Sequence, residues 1–290
     1  MKKLKPYILM LPALLAFAVF VFAPFLYTLY LSFFDWNMIK PTKQFVGLSN
    51  YTLVLSDPIL RKIFINTFIY IIIMLLMNFV IPYILAFISR FMISKLQNFY
   101  KKAFFLPSIL SLVIGSILFV WILNPVAGPV AIILKKIGLA MPNWSKTDGW
   151  VIAGLSLIAS WKSFGYNYIV LLGGILGVDT SVIEAAKLEG ISNFKLFTDI
   201  VIPMSSATGI YVLITSIVQG LQYIFTPIKV VTQGGPNYAS SNLIYQSYHE
   251  AFVYYRTGVS AALSMITMLI FAVLLFLEYK YIEKGVYYEN

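Results

Sequence analysis

The chain has no cysteine, a single histidine (His249) and only 11 acidic side chains in 290 residues. The first absence excludes disulfides, thiolate metal sites and a cysteine nucleophile. The second excludes a multi-histidine metal centre. Charged residues make up 11% of the sequence, against about 25% in water-soluble domains. No Gly-x4-Gly-Lys-Ser/Thr phosphate-binding loop occurs in it, so any ATP chemistry must come from another chain. One histidine and scattered carboxylates supply no base–nucleophile pair, which argues against a membrane enzyme. The carboxylates lie between the apolar runs, which argues against an ion-coupled secondary transporter.

What is present is apolar: 60% of residues are hydrophobic and the mean hydropathy is +0.85. A water-soluble core of this size could not hide that much apolar surface, so the solvent is lipid. The net charge of +10 then fits basic loops beside anionic lipid headgroups, not nucleic acid. Six apolar runs, at about 7–34, 66–88, 104–123, 150–172, 202–221 and 259–277, are each near the length a membrane helix needs. The expectation is an all-α, polytopic membrane protein with six spans, forming one domain over residues 1–290.

The first run follows Lys2, Lys3 and Lys5, and Ala16-Phe17-Ala18 imitates a signal-cleavage site. The run continues well past it, which reads as an uncleaved span. Pro12, Pro24 and Pro82 predict bends. Tyr30, Trp36, Trp144 and Trp150 suit membrane interfaces, and residues 130–149 read as external and partly interfacial. Six spans put both termini in the cytoplasm. That assignment places eleven of the 21 basic residues inside, including the basic loop Arg90, Lys95, Lys101 and Lys102. Nine lie outside, and Lys162 lies within a span. Glu278, Lys280, Glu283 and Lys284 fall in the tail.

The polar interruption at 179–203 stands out. Asp179, Glu184, Lys187, Glu189, Lys195 and Asp199 lie between two long apolar runs. The pattern predicts a helix, a tight turn and a second helix. Ser181 and Glu184 form a Ser-x-x-Glu capping box, and Gly190 ends the first helix. Ser192 caps the second, in which Phe194, Phe197 and Val201 share a face.

This stretch carries a resemblance. Glu184-Ala185-Ala186, three residues, Gly190, nine residues, Ile200-Val201-Ile202-Pro203 resembles the EAA loop of permease subunits in binding-protein-dependent ABC importers. Ile202 stands where that pattern has Leu, and Glu189 where Asp is common. Gly47-Leu48-Ser49-Asn50-Tyr51, Phe104-Phe105-Leu106-Pro107 and Gly234-Gly235-Pro236-Asn237 also resemble segments of the carbohydrate-type permeases, in the same order.

The resemblance implies a cytoplasmic coupling helix-turn-helix at 179–203 that docks on an ATPase. Glu184, Ala185, Ala186, Gly190, Ile200 and Pro203 would be the coupling residues. It implies a similar second permease as heterodimer partner, two ATP-binding-cassette subunits that bind the ATP, and an extracytoplasmic solute-binding protein. No cofactor is expected in this chain. The place would be a bacterial cell membrane and the cargo a sugar, an oligosaccharide in the first instance; glycerol phosphate or another acidic sugar derivative is the alternative. Gly234, Gly235, Pro236 and Asn237 would form an external turn facing the binding protein.

Within the spans, Lys162 is the deep charge, and such a group faces a bundle interior or a water-filled path. With Trp161, Tyr166 and Asn167 it forms a candidate substrate path. Trp161, Tyr166 and Asn167 also read as packing residues, and Lys162 as a charge that snorkels or pairs inside a heterodimer. Gly173-x3-Gly177 could be a close helix contact, and His249 reads as an external surface residue.

Overall fold

The computed structural model describes residues 5–281. Lys2, Lys3, Glu283 and Lys284, where the sequence reading put cytoplasmic charge, lie outside the described residues. Among the described residues, four helices are individually long and apolar enough to cross a membrane: α1 (Leu9–Leu31), α3 (Pro58–Phe91), α10 (Ser206–Thr232) and α12 (Thr257–Lys280). Two bent pairs bring the number to six if each pair is one span. They are α4 (Gln97–Ile109) with α5 (Leu112–Ile122), and α7 (Trp150–Leu176) with α8 (Thr180–Leu188). Short helices α2 (Ser49–Ser56), α6 (Pro129–Lys136), α9 (193–204) and α11 (Leu243–Phe252) lie between them. A hairpin pairs β1 (Phe34–Asp35) with β2 (Gln44–Phe45).

Several boundaries differ from the sequence reading. The second helix begins at Pro58, not near residue 66, because the polar Arg61 and Lys62 sit comfortably on a helix above the apolar run. The expected span at 104–123 is broken. Residues Leu110 and Ser111 are extended, and α4 and α5 meet at 105°. Helix α10 runs on to Thr232, and α12 to Tyr281, so Glu278 is buried inside a helix and not free in a tail.

Of the three prolines expected to bend a helix, Pro12 lies inside an α-helix, whereas Pro24 and Pro82 each follow a π-helical turn, as does Pro203. π-helical turns occupy Ala18–Phe22, Leu76–Val80 and Leu196–Val201, each ending two residues before a proline: Pro24, Pro82 and Pro203. Proline has no N–H and its ring collides with the carbonyl four residues back. That carbonyl belongs to Phe20, Asn78 or Asp199, and each lies inside the wide turn. The wider turn relieves the collision, and the helix passes through.

The chain forms two compact units, one of residues to Arg61 with Leu243–Ile270, the other of Lys62–Asn242 with the chain from Phe271. In the first, the Asn50 amide donates to Ser32 O (2.9 Å) and Phe34 O (3.0 Å), fixing α2 to the end of α1. Gly258 lies so close to the Phe34 carbonyl that a Cβ there would collide with it. From Leu9 to Tyr30 no residue of α1 is buried in the chain; Leu31, at its end, is.

The second unit holds the larger core. Tyr83, Ala86 and Phe87 of α3 pack with Tyr168, Leu171, Leu172 and Ile175 of α7. Gly165 lets α4 approach α7 at the Phe104 carbonyl, where any Cβ would collide. The Phe104 ring then stands edge-on to Phe164 and Tyr168. The Phe104-Phe105-Leu106-Pro107 segment thus serves as a packing seam.

Candidate functional site

The 179–203 loop is continuous with the core of the second unit. Helix α7 ends at Leu176, and after three residues α8 leaves at 75°. Val178, Ile183, Ala186, Leu196 and Val201 all join the cluster of Tyr83, Phe87 and Leu172. The short corner and the shared core make α8 an extension of α7 and not a loose flap.

The capping differs from the sequence reading. Asp179, not Ser181, is the N-cap: its carboxylate accepts the Ser181 N–H at 2.8 Å. The helix starts at Thr180, so Ser181 is already inside it, and no capping box with Glu184 forms. The bond to the Ser181 N–H holds the Asp179 carboxyl below the usual carboxylate range.

The far end of α8 closes as a Schellman motif. Gly190 has φ +72°. Its N–H donates to Lys187 O (3.1 Å), and the Ile191 N–H to Ala186 O (3.4 Å). Ser192 then caps α9, accepting the Lys195 N–H at 3.3 Å.

Register decides what faces out. Glu184, Ala185 and Leu188 are exposed, whereas Ile183 and Ala186 are buried. Ala186 therefore contributes close packing to the core, and Ala185 a small residue on the outer face. In α9 the π-turn sets Leu196 and Val201, five apart, on the buried side; Phe194 is 75% exposed and does not share their face. Ile200 is half-buried against the core, and Pro203 follows the π-turn. Leu188, 89% exposed beside Glu184, was missed from the sequence. Its signal was there: it lies four residues after Glu184, on the side opposite Ile183.

The substrate-path candidates separate into two pairs. Lys162 and Tyr166 line a cavity of about 330 Å³ with Phe105, Ser108, Ser163, Gln219 and Tyr223. The Lys162 ammonium donates to Ser108 O (3.0 Å) and Leu110 O (2.7 Å). These carbonyls lie at the broken C-terminal end of α4, where a positive charge complements the helix dipole. Trp161 instead packs edge-on to Phe119 and over Gly115.

Asn167 is buried in a polar clasp that the sequence reading missed. Its amide donates to Asn78 O (2.8 Å) and to the Ser216 hydroxyl (3.1 Å). Ser163 donates to the Asn78 side-chain oxygen (3.0 Å), and the Asn78 amide donates to Ser160 (3.1 Å). The origin is Pro82. It leaves the Asn78 carbonyl without its helical donor, and Asn167 supplies one from α7. An asparagine inside an apolar run was the available signal.

The 233–242 turn is stapled to α3. The Asn66 amide reaches Tyr238 O (2.9 Å), Ala239 O (3.1 Å) and Ser241 O (3.2 Å). Tyr70 donates to Ser240 O (3.0 Å) and Lys62 to Asn237 O (3.1 Å). Gly234 is buried with φ +85°, Gly235 and Pro236 are half-buried around a cis bond, and Asn237 is exposed.

Comparison with known proteins supplies the family. The profile of the binding-protein-dependent transport system inner membrane component matches residues 94–287. The chain is 31% identical to the sn-glycerol-3-phosphate transport system permease protein UgpA of Brucella abortus, over 99% of this chain and 97% of that one. It is 28% identical to the arabinooligosaccharides transport system permease protein AraP of Bacillus subtilis, over 96% and 88%. Among solved structures, it resembles a chain of a bacterial ABC transporter involved in the import of the acidic polysaccharide alginate. The TM-score there is 0.81 at 21% identity, covering 98% of each chain. The likeness shows the shared polytopic helical fold. The chain belongs to the binding-protein-dependent transport system inner membrane component family and is a membrane permease subunit of an ATP-binding-cassette importer.

Proposed function

We propose that this subunit moves a sugar, an oligosaccharide in the first instance, through the membrane by alternating access driven by separate ATPase subunits. The observation that carries the coupling is the anchoring of α8: its inner side chains Ile183 and Ala186 belong to the core of α3 and α7. A protein that grips the exposed Glu184, Ala185 and Leu188 would therefore move the spans with it. When two docked ATPases close on ATP, each carries its coupling helix, and the permeases rock between outward-facing and inward-facing states. Glu184 offers a charge to a basic residue of the ATPase, and Gly190 keeps the turn between α8 and α9 tight. This docking places 179–203, and with it both termini, in the cytoplasm. A second permease and an extracytoplasmic binding protein complete the importer, as the complex of an alginate transporter with its periplasmic protein illustrates for that relative. The exposed Asn237 is the part of the 233–242 turn within a binding protein's reach.

Sugar as cargo is supported by the cavity beside Lys162. Its polar lining comes from Ser108, Ser163, Gln219, Tyr166 and Tyr223, with Phe105 as an apolar wall. Hydroxyls, an amide and aromatic faces suit a neutral carbohydrate, and the Lys162 ammonium is already bonded to two carbonyls. An acidic cargo is the second reading, favoured by the UgpA relative.

The test is to purify the chain from its native membrane, identify what comes with it, and screen the recovered binding protein against neutral and phosphorylated sugars. An ATPase, a second permease and a neutral oligosaccharide ligand are expected. A lone chain would overturn the importer reading, and a binding protein selective for phosphorylated sugars would overturn the neutral cargo.

A further inference from the structure

Residues 123–149 join α5 to α7 at the end of α7 opposite the 179–203 loop. They are pinned there. The Trp144 indole N–H donates to Leu123 O at 2.8 Å. Its ring is buried and presses on Gly154, where a Cβ would collide with it. The segment is therefore held against the ends of two apolar helices, α5 and α7.

Its outer surface does not suit water. On α6, Ala131 faces the protein, while Ile132 and Ile133 are exposed. Beyond its end Ile137 is 66% exposed, and before it Val126 is 87% exposed. Lys135 and Lys136 are interleaved with these side chains, and no carboxylate occurs from residue 124 to 147. Asp148, the next acid, is paired with Lys62 at 3.1 Å. Between α6 and the 138–141 arm lies a cavity of about 910 Å³ lined by Pro125, Val126, Ile132, Lys135, Lys136 and Leu139.

We propose that this surface is a binding site for an anionic phospholipid. The acyl chain covers Ile132, Ile133 and Ile137, and Lys135 and Lys136 reach the headgroup phosphate. Both halves of the ligand are called for. An apolar helix face at the membrane boundary packs on acyl chains, and lysines on such a helix extend toward the headgroups. The unopposed positive charge selects an anionic headgroup over a zwitterionic one. A folded protein partner would have to cover scattered isoleucines and bring its own carboxylates.

The chain has no cysteine, which makes the test direct. The full chain, with Ile137→Cys carrying a fluorophore, is reconstituted in vesicles of equal parts phosphatidylglycerol and phosphatidylethanolamine. One lipid or the other is brominated as a quencher. Brominated phosphatidylglycerol should quench more strongly than brominated phosphatidylethanolamine. In parallel, native mass spectrometry of the detergent-extracted chain should show retained phosphatidylglycerol. Roughly tenfold less should be retained in the Lys135→Gln/Lys136→Gln variant. Ile137 belongs to the acyl half of the site and not to its headgroup half, so quenching in the Lys135→Gln/Lys136→Gln variant also reads whether it still sits in the membrane. Equal quenching by the two lipids, or equal retention by wild type and variant, would overturn the headgroup selection. Absence of quenching by both would show that the face is covered by protein and overturn the site.

Discussion

The two glycine-bearing turns of the larger unit, 177–192 and 233–242, are fastened in opposite ways. The first is held by apolar side chains: Val178 and Ile183 enter the core of α3 and α7, and Glu184, Ala185 and Leu188 stay bare. The second is held through its backbone, with Asn66, Tyr70 and Lys62 donating to its carbonyls, and Ser240, Ser241 and Asn242 have no exposed surface. Apolar anchoring on one face leaves the other face of a helix free to meet a partner. Backbone stapling consumes the turn itself. A turn motif alone therefore says little about exposure; the neighbours that satisfy its polar groups decide it.

The contrast can be broken from either side. Ile183→Ala should cost most, about 3 kcal/mol, from lost burial and the cavity left in the core. It should lower the thermal unfolding midpoint of the detergent-solubilised chain and loosen α8, read as faster labelling of a cysteine at Ser192. Asn66→Leu should follow closely, at about 2 kcal/mol, because it strips donors from buried carbonyls. Its loosening should appear at a cysteine placed at Asn237 and not at Ser192; the reverse pattern would refute the separate anchoring.

Gly190→Ala should cost less, about 1 kcal/mol. Nothing lies within 4 Å of the added methyl, so only the positive φ opposes it. Gly190→Asn, which tolerates that region better, should cost less still. Unfolding midpoints of the two variants check the order.

The mildest perturbation is pH at Asp179. Its folded carboxyl titrates below its ordinary range, so the cap is in force at neutral pH and is lost only as pH falls through that lowered value. Amide exchange at Ser181, corrected for its intrinsic pH dependence, should stay protected until that point. Asp179→Asn, which keeps a side-chain acceptor, should remove the pH dependence while retaining protection.

Much of this architecture was legible in the sequence because its signals are local. Apolar runs of membrane length, the glycine at 190 and the serine cap at 192 each depend on a few neighbouring residues. What was hidden depends on distant ones. The π-turn before Pro203 adds a residue to one turn and so moved Phe194 to the exposed side. The carbonyl freed by Pro82 finds its donor in Asn167, 89 residues away from Asn78. Lys162 looked like a substrate-path charge within a span because the break at Leu110, whose carbonyl it binds, carries no signal in the apolar pattern. In the coupling helix, Asp179 won the cap over Ser181 because the chain leaves α7 only three residues before α8 begins.

The central claim is that the bare face of α8 is where the ATPase grips. A photo-crosslinking residue in place of Leu188, in cells making the whole importer, tests it most directly. The account predicts an adduct with the ATP-binding subunit, whose yield changes when ATP is trapped. Crosslinking only to lipid or to an extracytoplasmic protein, in membranes where the assembled importer is present, would contradict it.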